Sequence, residues 1–197
     1  MKHRAQALGA EDRRRSIFAA VVPLLARKGS KVTTAEMARA AGIAEGTIFK
    51  VFPDKAALIC GAVKAVIDPG ATCDAVKAIP QSDPIERQLA AAADILLERL
   101  ERVTALGEVL RSLPDAGERR LADTRRYVVA SNAAISAELT ALLERHRARL
   151  RVEPSRAAAA LRGLIFASGH PLLPAADRLS VGDIVSTLMH GISREKD

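Results

Sequence analysis

Residues 33–58, TTAEMARAAGIAEGTIFKVFPDKAAL, leave this chain little freedom in how it begins to fold. Thr33 with Glu36 three residues later is a capping box, and Met37, Ala38 and Ala41 share the inner face of the helix it opens. Gly42 ends that helix and Ile43 plugs the turn. A second short helix should run from Ala44 or Glu45 to about Val51, with Ile48 and Phe52 turned inward. Asp54 then caps a further helix with Leu58, Ile59, Ala62, Val63 and Val66 on its apolar face, stopped by Asp68-Pro69-Gly70. Two short helices about a tight turn, backed by a third, form the layout of a helix-turn-helix.

The periodicity elsewhere is helical too. Residues 11–28 carry Ile17, Ala20, Val21, Leu24 and Leu25 at helical spacing, with Gly29 as the stop and a kink expected at Pro23. Residues 1–10, with Lys2, His3 and Arg4, read as a mobile arm, and 71–82 as a linker or short irregular helix. Asp83-Pro84-Ile85-Glu86 is a strong start for a helix reaching about Val103, with a short one after it ending near Leu113-Pro114. A long helix is expected from about Asp115 to His146. Pro154 opens the next, up to Gly169-His170-Pro171, and Ser180 with Asp183 caps the last, which carries Ile184, Leu188 and Ile192. The chain is therefore expected to be all-α, with about nine helices.

Composition agrees and excludes several classes. Hydrophobic residues make up 49% but aromatics only 3%, which favours helices packed through small residues over a β-sandwich. The apolar runs read as too short to span a bilayer, and no export signal is apparent. Two cysteines, Cys60 and Cys73, fit neither a disulfide framework nor a zinc pattern, so no metal or cofactor is expected and the cytoplasm is the simplest location. The charge is more telling. Residues 1–64 hold twelve Lys/Arg against five Asp/Glu, whereas 65–197 hold eighteen of each. All of the net +7 thus lies on the segment with the helix-turn-helix, which reads as one domain (1–64) beside a larger neutral one (65–197). A basic module of this kind suits the neutralisation of DNA phosphates.

The second short helix has side chains suited to a DNA groove. Gly46 permits close backbone approach, at a cost of about 1 kcal/mol in helix propensity relative to Ala. Thr47 can touch a thymine methyl or donate to a base, and Lys50 suits a guanine or a phosphate. Thr33, at the amino end of its helix, could place a phosphate on the positive pole. The bland alternatives are a capping residue for Thr33 and solvated side chains for Lys50 and Lys55.

Residues 13–63 resemble the DNA-binding domain of TetR-type transcriptional regulators. The likeness rests on Gly29, the Thr33 cap, Met37-Ala38, Ala41-Gly42-Ile43, Gly46-Thr47-Ile48-Phe49, and Phe52, Lys55 and Leu58. It implies operator contacts by Thr33, Thr34, Ala44, Glu45, Gly46, Thr47, Phe49, Lys50 and Lys55, the last on the DNA backbone. It also implies a ligand-responsive regulator, most often a repressor, that binds double-stranded DNA as a homodimer formed through the last two helices. A small-molecule effector would bind the larger domain, where Arg111, Tyr127, Ser131 and Phe166 are the side chains best able to recognise one. Three features depart from the family pattern: Ala44 replaces the usual Ser or Thr cap, Phe49 the common Tyr, and the loop from Gly29 to Thr33 is one residue short. The first two motivate a rival reading, a TetR-like scaffold or ligand-binding module that no longer reads DNA. An enzyme using Cys60 with His170 or His190 has no supporting motif.

Overall fold

The computed structural model describes residues 9–113, 118–169 and 174–192. The expected arm at 1–8, the Pro114 stop, the helix start at Asp115, the His170-Pro171 stop and the Ile192 side chain lie outside the described residues. Among those described there are helices and no strand: α1 (Ala10–Lys28), α2 (Thr34–Ala40), α3 (Glu45–Val51), α4 (Lys55–Ile67), α5 (Gly70–Lys77), α6 (Ile85–Arg111), α7 (Glu118–Glu144), α8 (Pro154–Gly169) and α9 (Val181–Ile192). The chain divides into two compact units. One is Met1–Ile67 with Ala105–Tyr127, the other Asp68–Thr104 with Val128–Asp197. The division falls within α6 and α7, so each of these helices supplies a segment to both units.

In the first unit α1 buries Ile17, Val21, Leu24 and Leu25 and continues through Pro23, whose ring faces solvent. It stops at Gly29, where φ is +62°, a left-handed conformation that favours glycine. A single 3₁₀ turn, Gly29–Lys31, leads to the fully buried Val32 and then into α2. α1 packs on α4 at close range: a Cβ built on Gly61 would lie 2.7 Å from the Phe18 ring. That ring in turn packs against Phe52, centroid to centroid 5.4 Å. With Met37, Ile48, Leu58 and Ile59 also fully buried, the core holds α2 and α3 against the α1–α4 pair. Each such side chain contributes about 1.5–3 kcal/mol of burial.

The second unit has its own core. Ile85, Leu89 and Leu96 of α6 meet Ile135, Leu139 and Leu143 of α7, Leu161 and Ile165 of α8, and Ile184 and Leu188 of α9. Gln88, fully buried, donates through Nε2 to the carbonyls of Asp83 (2.7 Å) and Gln81 (3.2 Å) and so fixes the loop before α6. Ser180 and Asp183 cap α9 reciprocally, through Asp183 N–H to Ser180 Oγ (3.1 Å) and Ser180 N–H to Asp183 Oδ2 (3.0 Å). Neighbouring α8 and α9 pack together.

Four expectations need correction. The segment after Asp68-Pro69 is a regular helix, α5, which buries Cys73 and Val76. The break expected near Val103 is absent: α6 runs to Arg111, because Leu106 and Val109 continue its buried face and no proline interrupts it. α7 ends at Glu144, two residues early, and a 3₁₀ turn, Arg147–Arg149, follows. By length and hydropathy alone residues 55–77 also qualify as a membrane span, contrary to the reading that no apolar run is long enough. They form α4 and α5, broken at Asp68-Pro69, and much of the stretch is buried in the fold.

The contact at Gly61 predicts that Gly61→Ala costs about 1–3 kcal/mol through overpacking against Phe18. A lower denaturant midpoint at unchanged slope is the expected result, and an unchanged midpoint would show that the ring moves aside freely.

Candidate nucleic-acid interface

Thr33 is the N-cap of α2. Its Oγ1 accepts from the Glu36 N–H (3.2 Å), while its own N–H donates to Glu36 Oε2 (2.9 Å). Glu36 is also gripped by Lys28 at 2.5 Å. The Lys28 ammonium, and after it the Thr33 N–H, holds the Glu36 carboxyl at about 2, well below its ordinary 4.5. The Thr33 hydroxyl also lies 3.3 Å from Glu36 Oε2 and donates to it. The next threonine behaves similarly: Thr34 Oγ1 donates to Glu45 Oε1, joining the start of α2 to the start of α3. Both threonine hydroxyl protons are thus engaged by carboxylates of the same motif.

The turn between the helices is closed by the backbone. Gly42 has φ +66°, its N–H reaches the Arg39 carbonyl (3.1 Å), and the Ile43 N–H reaches that of Ala38 (3.0 Å). Ile48 is fully buried and anchors α3, and Thr47 is half-buried beside it. The opposite side of α3 carries Ala44, Glu45, Gly46, Phe49 and Lys50, all exposed, with Phe49 at 49%. Ala44 takes the extended N-cap conformation, φ −70° and ψ 144°, but makes no side-chain cap. A Cβ added at Gly46 would meet nothing within 4 Å, so the chain's own packing does not demand this glycine.

Lys55 opens α4 half-buried, its Nζ donating to the Ser30 carbonyl at 2.7 Å. An ammonium has three donors. Lys55 therefore has a structural bond of its own in addition to any phosphate it could meet. Beside it Asp54 caps α4 by accepting from the Ala57 N–H (2.7 Å) and takes both Nη atoms of Arg120, at 2.9 and 2.7 Å. The Arg120 guanidinium, and then the Ala57 N–H, keeps the Asp54 carboxyl below its ordinary value. No sequence signal marked Arg120 as a partner of Asp54.

The four expected effector residues are divided between the two units. Arg111 is exposed and paired with Glu108, and with Tyr127 it belongs to the first unit. Ser131 and Phe166 belong to the second. Phe166 is 58% exposed, whereas Ser131 is buried and accepts from Arg99 Nη2 at 2.7 Å. Arg99, itself buried, also donates to the Asp68 carbonyl (3.1 Å) and to Thr72 Oγ1 (3.4 Å). The sequence signal for this cluster was an arginine on the inner face of α6, one turn after Leu96.

Burial pushes the Cys60 thiol up, which is the opposite of an activated nucleophile. His190 Nδ1 lies 2.7 Å from the Ser186 carbonyl. Among the described residues no three His, Cys, Asp or Glu side chains cluster as metal ligands would.

Residues 17–60 match the profile of a family described as bacterial regulatory proteins of the tetR family. No curated protein sequence matches the chain. Among solved structures, one assigned to the TetR transcriptional regulators, from Mesorhizobium loti, superposes with a TM-score of 0.71 at 18% identity over 95% of this chain and 100% of that one. NalD of Pseudomonas aeruginosa, described as the secondary repressor of a multidrug efflux pump, gives 0.60 at 22% over 94% and 100%. A superantigen, PfiT, gives 0.68 at 17% over 96% and 100%. At these identities the superpositions establish the fold.

Two outcomes follow from the geometry. Gly46→Ala should leave stability unchanged or raise it by up to about 1 kcal/mol in denaturant unfolding, since the site is open and helical. A loss would mean that the fold itself needs the glycine. The second concerns acid. The folded Glu36 carboxyl titrates below its unfolded value, so its stabilisation is complete above about pH 4.5 and is lost as pH falls towards about 2. Glu36→Gln, which keeps the box but not the charge, should lose less melting temperature over that interval than the native chain. Equal losses would remove Glu36 from the acid response.

Proposed function

The amino-terminal unit carries a TetR-type helix-turn-helix, and on that premise we propose that this protein is a DNA-binding transcriptional regulator that acts as a ligand-responsive repressor in the cytoplasm. The observation that carries the reading is the outer face of α3. Glu45, Gly46, Phe49 and Lys50 stand exposed on a short helix whose inner side is fixed by the buried Ile48. The segment that bears it holds the whole net positive charge of the chain. In this reading α3 lies in the major groove with Gly46 and Thr47 at the bases, while Lys50 and Lys55 meet phosphate. Two copies bind a near-palindromic operator with their α3 helices about one helical turn apart.

The homodimer forms through α8 and α9. The exposed side of α8 presents Ala159, Ala160, Gly163, Phe166 and Ala167, an apolar strip on which a second helix can approach closely. Binding of a small-molecule effector in the second unit releases the DNA to the extent that the effector prefers the released state.

One rival keeps specific support. Thr33 and Thr34 spend their hydroxyl protons on Glu36 and Glu45, and Ala44 supplies no hydroxyl, which leaves fewer groups for phosphate and favours a TetR-like binding module. Titration of a labelled mixed-sequence duplex across a range of salt separates the two. A regulator binds with log K falling linearly in log salt, and a module that has abandoned DNA does not bind even at low salt. In the same assay Phe166→Glu should convert the dimer to monomer by sedimentation and weaken duplex binding by at least tenfold, on the order of the avidity of linked sites. A dimer that survives the substitution would exclude the α8 interface.

A further inference from the structure

The helix-turn-helix is held at both of its flanks by one short stretch of chain from outside it. Ser30, three residues before the α2 cap, meets Ser112 just beyond α6: Ser30 Oγ donates to the Ser112 carbonyl (3.2 Å) and Ser112 Oγ to Ser30 Oγ (2.8 Å). Asp54, three residues after the end of α3, meets the first turn of α7 through the two-pronged Arg120 contact. Lys55 closes the circuit from α4 back to the Ser30 carbonyl at 2.7 Å. All of these residues lie in the first unit.

The pair at Asp54 is the stiffest part of this circuit. A guanidinium offers paired donors in a fixed plane, so gripping both carboxylate oxygens fixes direction as well as distance. The same carboxylate caps α4 through Ala57, so where Arg120 pulls Asp54 the start of α4 must follow. Only Phe52 and Pro53 separate Asp54 from Val51, the last residue of α3, and Phe52 is locked against Phe18. The setting of α3 is thereby tied to the start of α7, although Arg120 is not on the exposed face of α3.

We propose that Arg120 is a positioning residue for DNA reading, which acts through Asp54 to fix the junction between α3 and α4 and so the angle at which α3 is presented. Residues 105–127 are on this view a working part of the DNA-reading unit. The inference rests on the DNA-binding reading above.

The test is a double-mutant cycle in the full chain with Arg120→Gln, Asp54→Asn and the pair. Asn is itself a good N-cap, so Asp54→Asn removes the grip and keeps the cap. Each single change should weaken binding to a mixed-sequence duplex roughly 2- to 30-fold, the range found for residues that couple without touching a ligand. The double variant should be no weaker than the worse single one, and the salt slope should not move, because no phosphate contact is lost. Arg120→Lys, which keeps the charge without the fork, should recover only part of the affinity. Unchanged affinity, additive losses, or a slope lowered by about one per site would each overturn the proposal, the last by making Arg120 a direct phosphate contact. Amide hydrogen exchange on the DNA-free protein decides the matter independently of DNA binding. Faster exchange at the first turn of α4 in both single variants is expected, and unaltered exchange there would overturn the proposal. If the native chain binds no duplex the functional reading alone falls, and the exchange result still decides the clasp.

Discussion

The close approach of α1 to α4 sets the frame for the two short helices, α2 and α3. Gly61 has no side chain, so the tip of the Phe18 ring can come up against α4, and Phe52 packs against the same ring. Phe52 directly follows α3, so the contact between α1 and α4 also fixes where α3 ends. Ile48, buried one turn earlier, fixes its roll. A helix of seven residues could not hold its shape alone, since isolated helices of that length are not stable in water. Its orientation is borrowed from the larger helices behind it.

Polar groups complete what packing begins. The capping box at Thr33, the Thr34–Glu45 bond and the Gly42 turn satisfy backbone and hydroxyl groups that the short helices would otherwise leave open. Charge then divides the labour. The basic excess belongs to the segment that contains α3, while the rest of the chain is balanced. Such a division gives attraction to a polyanion at one end and leaves the remainder free for packing and for an apolar face on α8.

Much of the first unit was legible because its signals are local. The Thr33–Glu36 spacing, Gly42, the buried Ile48 and the Asp54 cap all act within four residues of their partners, and each appears where the sequence implied. The start of α6 at Asp83-Pro84 and the Ser180–Asp183 cap of α9 were readable for the same reason. What escaped depends on distance along the chain. Arg120 lies 66 residues from Asp54 and Ser112 lies 82 from Ser30, so no periodicity could pair them. Arg99 meets Thr72 and Ser131 across 27 and 32 residues, which again no local pattern could pair. The helix expected to end at about Val103 runs on to Arg111, with Leu106 and Val109 buried beyond that point. The bond from Thr34 to Glu45 spans eleven residues and two helices, so no local pattern pointed to it.

The central claim is that two copies of α3 read DNA sequence as a symmetric pair. Selection of bound duplexes from a random pool by the purified full chain, at near-physiological salt, tests it most directly. The account predicts enrichment of an inverted repeat whose half-sites are centred about one helical turn apart. Recovery of duplexes without sequence preference, or of none at all, would contradict it.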